Sequence, residues 1–82
     1  MARFKWKRDG ISRNEIDCFV AGMPFGRAGW VRPSGVEWRA VLDIWVLRRT
    51  GFDDAEFPSA REAARYVRRA AQVAIIAGES HG

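Results

Sequence analysis

One cysteine, one histidine and no long apolar run set the first limits on this chain of 82 residues. A lone Cys18 excludes an intramolecular disulfide and a multi-cysteine zinc site. It reads as a small buried hydrophobe in a reducing compartment. His81, next to the last residue, has no second histidine to share a metal, and a chain end rarely holds a catalytic base in place. No stretch approaches the length needed to cross a bilayer, and none has the form of a secretory signal. A cytoplasmic location with no membrane partner is therefore expected. The glycines at 22, 26, 29 and 35 do not form a phosphate cradle between strand and helix, and read as turns and bulges. Asp53, Asp54 and Glu56 lack the spacing and the distal glutamate of a calcium loop. They read as a solvated loop or a docking patch for a basic partner. These residues point to no enzyme, no cofactor and no metal.

What the chain does have is rings and arginines. Apolar residues make up 48% of it, with four Trp and five Phe, enough for the core of one domain over residues 1–82. A chain this short buries only about 60% of its unfolded surface. Each large ring can contribute roughly 150–250 Å², so the rings are expected inside. Lys and Arg total 14 against 10 Asp and Glu, for a net charge of +4. Twelve of those cations are arginine, the side chain suited to bidentate contact with phosphate or carboxylate. The balance permits a polyanionic partner.

The opening stretch RFKWKR alternates, with Phe4 and Trp6 on one side and Arg3, Lys5 and Lys7 on the other, which is the period of a half-buried strand. With the rings inward, Lys5 and Lys7 mark a protected sheet edge and remain able to touch phosphate. Asp9–Gly10 supplies a turn. Residues 12–21 are readable two ways. Ser12 and Glu15 fit a helix capping box, whereas Ile16, Cys18 and Val20 alternate as in a strand. Residues 35–49 carry a similar ambiguity. Val36, Trp38, Ala40, Leu42, Ile44 and Val46 share one side of an extended chain, and the β-branched and Trp content favours a strand. Ser34 with Glu37 would cap a helix instead. Pro33–Gly35 fits a hairpin connection, and Thr50–Pro58 reads as a loop.

SAREAARYVRRAAQVAIIAG is a helix, capped by Ser59, answered by Glu62 and closable at Gly78. Arg61, Arg65, Arg68 and Gln72 share one side of it, with Arg69 beside them. Ala63, Val67, Ala70 and Ala74 share the other, small enough to let the helix lie close on a sheet. The fold class expected is α+β, a three- to four-stranded antiparallel meander with one long C-terminal helix packed on it.

WRAVLDI from Trp38, followed by FPSAREAARYVRRAA, resembles the end of small three-strand-plus-helix DNA-binding domains. The arm-binding domains of phage integrases and the plant ethylene-response type are examples. The resemblance covers about half the chain. It implies DNA reading by sheet residues, with Arg32 and Arg39 in that role. The extended reading of 35–49 departs from that pattern, since it puts Asp43, Trp45 and Leu47 on the outward face, where they suit protein contact. By size, single-domain architecture and lack of catalytic groups, the chain is also similar to the small inhibitors of phages and mobile elements, anti-CRISPR proteins among them.

The leading expectation is a non-enzymatic basic module that occludes a nucleic-acid-handling protein complex. The alternative is a direct DNA binder of integrase-arm type. The contact residues expected are Arg61, Arg65, Arg68 and Arg69 on the helix, Arg32, Arg39, Lys5 and Lys7 on the sheet, and Trp45. Trp45 and Leu47 would also allow a homodimer.

Overall fold

The alternation at the start of the chain becomes an edge strand in the computed structural model, which describes residues 3–8, 15–23 and 26–80. Strand β1 (Phe4–Arg8) pairs antiparallel with β2 (Ile16–Val20), which pairs with β3 (Arg27–Ser34). The meander continues through β4 (Glu37–Leu42), a short helix α1 (Ile44–Thr50) and β5 (Ala55–Phe57), and ends in α2 (Ala60–Ser80). The sheet order is β1-β2-β3-β4-β5, one strand more than expected. Of the two readings of residues 12–21, the strand is the one adopted from Ile16 to Val20. The turn at Asp9–Gly10, the box partner Ser12 and His81 lie outside the described residues.

The β3–β4 hairpin closes with only Gly35 and Val36 between paired Ser34 and Glu37. Gly35 has φ 61°, and no non-glycine residue has a positive φ among the described residues. A glycine at the first central position is the mark of a type II′ turn, which matches the twist of the flanking strands. Ser34 does not cap a helix. Its hydroxyl donates to the Glu56 carboxylate at 2.6 Å, across the sheet.

The extended reading of residues 35–49 is corrected at Asp43. Strand β4 ends at Leu42, and Asp43 takes the N-cap position of α1 with extended backbone angles. Gly51 closes that helix in the left-handed region at φ 73°, its N–H donating to the Leu47 carbonyl. Arg48 and Arg49 occupy the last turn, where cations suit the carbonyl end. Ile44, placed inward by an extended chain, is 62% exposed instead. The loop at 50–58 holds β5, which aligns Ala55, Glu56 and Phe57 with Ala40, Arg39 and Trp38. Beyond that short pairing, the Asp54 carboxylate accepts the Leu42 N–H at 3.0 Å.

Helix α2 begins as expected, with the Ser59 hydroxyl accepting the Glu62 N–H at 3.2 Å. It runs past Gly78 rather than stopping there. Ala63, Val67, Ala70, Ala71 and Ala74 are fully buried against Cys18, Val31, Ala40 and Leu42. At Gly29 an added Cβ would sit 3.1 Å from Val67 Cγ1 of the helix and would collide with the Val41 carbonyl oxygen of β4.

That closeness corrects the expectation of rings at the centre. The largest fully buried side chains among the described residues are Val31, Val46, Val67 and Cys18. Phe4, Trp6, Trp38, Trp45 and Phe57 are half-buried and pack around this narrow centre. An alanine stripe on a sheet leaves no room for a ring between the layers.

Candidate nucleic-acid interface

Residues directly opposite in an antiparallel ladder share a face, and successive residues alternate faces. Cys18, Val31 and Ala40 are buried under α2, so their sequence neighbours belong to the other side of the sheet. Reading across the strands, one outer row is Lys7, Asp17, Trp30 and Val41. A second is Lys5, Phe19 and Arg27, and a third is Arg32, Arg39 and Glu56. Among the described elements, α2 packs on the sheet from the inner side and α1 packs on α2. None of them covers these rows.

A bulge decides who joins them. The register slips between Cys18 and Phe19, so Cys18 faces Gly29 while Phe19 faces Arg27, and Ala28 is the extra residue. Ala28 is fully buried. Its carbonyl accepts the Asp43 N–H at 2.8 Å, and the Arg27 carbonyl accepts the Trp45 indole N–H at the same distance. The bulge thereby docks the start of α1.

The cations on this face are not equivalent. The Arg27 guanidinium lies 4.1 Å over the Trp30 ring and donates to Asp17 at 3.0 Å. It is neutralised and serves to hold the ring. Arg32 is exposed and reaches Glu15 only at 4.0 Å. Arg39 has no ion pair among the described residues, although Glu56 stands opposite it. Lys5 and Lys7 are exposed on the edge strand. Trp30, Phe19 and Val41 give the face a half-exposed apolar centre.

The expected contact residues therefore split into two surfaces. Lys5, Lys7, Arg32 and Arg39 lie together on the open sheet face. Arg61, Arg65, Arg68 and Arg69 are exposed on α2, the helix that packs on the other face of the sheet. There Arg65, Arg68, Arg69, Gln72 and Phe4 line a shallow hollow of about 540 Å³. Trp45 belongs to neither surface. Its indole N–H is spent on the Arg27 carbonyl, and the Arg49 guanidinium lies 5.5 Å over its ring. Leu47 likewise packs against the core.

Two residues of this face escaped the sequence reading. Trp30 and Phe19 come together only through strand register, and the one usable signal was the alternation of Phe19 with Cys18 and Val20. Elsewhere, burial pushes the Cys18 thiol up to about 12, partly offset by the nearby Arg68 charge, so no thiolate nucleophile forms near neutral pH. Asp54 and Glu56 are occupied by Leu42 and Ser34, and the Asp53 carbonyl accepts the Tyr66 hydroxyl. No three His, Cys, Asp or Glu side chains converge as metal ligands among the described residues. No described helix is long and apolar enough to cross a membrane. Compared with known proteins, the chain matches no family model, no curated protein and no solved structure.

Proposed function

We propose that this chain is a non-enzymatic module that binds nucleic acid on the open face of its sheet. Lys5, Lys7, Arg32 and Arg39 would meet phosphates, and Trp30 with Phe19 would meet bases or sugars. The observation that carries this reading is a sheet face that no described element covers, with cations of three strands around two half-exposed rings. Backbone contacts of this kind give affinity and register, while groups at the centre read the bases.

The integrase-arm domains that the chain resembles read DNA with sheet residues. In the extended reading of residues 35–49, Asp43, Trp45 and Leu47 stood against that role. Asp43 instead stands at the N-cap position of α1, and Trp45 and Leu47 pack inward. With Trp45 and Leu47 gone from the outer face, direct binding gains over occlusion of a protein complex. The occlusion reading keeps one supporting observation, the acids Asp17, Glu37 and Glu56 set among the cations, which suit a mixed-charge protein surface.

Fluorescence anisotropy with a labelled duplex tests the proposal. Affinity should fall by orders of magnitude between about 50 and 200 mM salt, because each phosphate contact releases counterions. A chain that ignores free duplex and co-purifies with a host protein complex after nuclease treatment is an occluding inhibitor instead.

A further inference from the structure

The arginines of α2 belong to the helix that packs on the other face of the sheet, and the proposed function leaves them unused. Arg61 and Arg65, like Arg65 and Arg69, are four residues apart, and Arg65 and Arg68 three apart, so all are neighbours on the helix surface. Like charges at that spacing destabilise a helix slightly. None of the four forms an ion pair with an acid among the described residues. The cations recur about once per turn from Arg61 to Arg69, over about 12 Å of helix. The hollow lined by Arg65, Arg68, Arg69, Gln72 and Phe4 of the edge strand is open rather than closed around a small anion. A row of bidentate donors on an open track matches an extended chain of phosphates better than a single one.

We infer that the outer face of α2 takes the sugar–phosphate backbone of a second nucleic-acid segment, so that one copy of the protein bridges two segments. The bridging rests on the sheet-face reading, while the α2 site does not. The geometry permits both to be filled together. The two shorter dimensions of the molecule are 24 and 19 Å. Both exceed twice the screening length of about 8 Å at physiological ionic strength, so segments on opposite sides hardly repel through it. Backbone contact on α2 carries no base reading, and the second segment is held without regard to sequence.

Two short duplexes, one carrying a donor dye and one an acceptor, test this with the full chain, alongside anisotropy of a single duplex and light scattering of the free protein. Wild-type protein should be monomeric and should raise energy transfer at low protein-to-duplex ratio. Arg65→Gln with Arg69→Gln should keep single-duplex affinity within about threefold and abolish the transfer. The salt dependence of bridging should exceed that of single binding by the contacts added on α2. Transfer that survives the double variant, including transfer by a dimer through two sheet faces, overturns the inference. So does a wild type that saturates one duplex and never bridges. If single-duplex binding is lost in the α2 variant and kept in Arg32→Gln with Arg39→Gln, the sheet-face reading falls, and bridging with it.

Discussion

Arg32 and Arg39 stand directly opposite each other across the β3–β4 ladder, two like charges on the outer face of the sheet. Such a pair is unfavourable to the fold, by about 0.2–1 kcal/mol relative to neutral partners. Arg39 also faces Glu56 on its other side, so Arg39→Gln should leave stability within about 1 kcal/mol of wild type in urea denaturation. The same substitution should weaken duplex binding and reduce the salt slope by about one contact. A variant that binds as well as wild type removes Arg39 from the interface.

The two tryptophans linked through Arg27 separate binding from stability. Trp30→Ala should cost about 1–3 kcal/mol of binding if its face meets a base. Trp45→Phe should leave binding alone and cost about 0.5–1.5 kcal/mol of stability, because the Arg27 carbonyl loses its indole donor. Anisotropy and urea titration of the two variants side by side give the answer.

Two glycines predict opposite outcomes on becoming alanine. At Gly29 the new Cβ would meet backbone, the Val41 carbonyl oxygen, and Val67 of α2. Overpacking against immovable atoms should cost about 1–3 kcal/mol. At Gly78 the obstacle is the Arg49 guanidinium, the far end of a flexible side chain. Alanine there also suits a helix interior better than glycine by about 1 kcal/mol. Gly78→Ala should be neutral or stabilising in thermal melts.

Alkaline conditions should unfold the protein earlier than its net charge alone suggests. Burial raises the Cys18 thiol from 9.0 to about 12, and burial, then Asp53 and Asp54, raise the Tyr66 hydroxyl above 10.0. Both folded-state values exceed the unfolded ones. Their contribution is complete below pH 9 and is lost as pH rises towards 12. Tm should be flat from pH 7 to 9 and fall beyond it, less steeply in Cys18→Ala. Thiol reagents at pH 8 should label Cys18 only at the rate of unfolding, since it is fully buried.

The parts legible in the sequence were those with long or strict periodicity. The alternation of Phe4 to Lys7 and the arginine and alanine sides of α2 stand in the structure as read. Helix α1 was not legible because seven residues rich in Ile, Trp and Val also alternate, and two turns give too little periodicity to decide. Its brackets, Asp43 before and Gly51 after, were the available signal. Strand β5 has three residues, two of them small or charged, and shows itself only by pairing with β4. The cations of the sheet face could be picked out singly. Their union with Trp30 and Phe19 depends on cross-strand register, and that of Arg27 on a one-residue slip in pairing, which no local pattern announces.

That slip makes chain length at Ala28 matter more than side-chain identity there. Removing one residue would turn Arg27 inward beneath α2 and swing away the two carbonyls that seat Asp43 and Trp45. The platform and the short helix would be lost in one event. A family descending from this chain could vary its outer rings and arginines without losing the fold, yet would lose it on a deletion at that point.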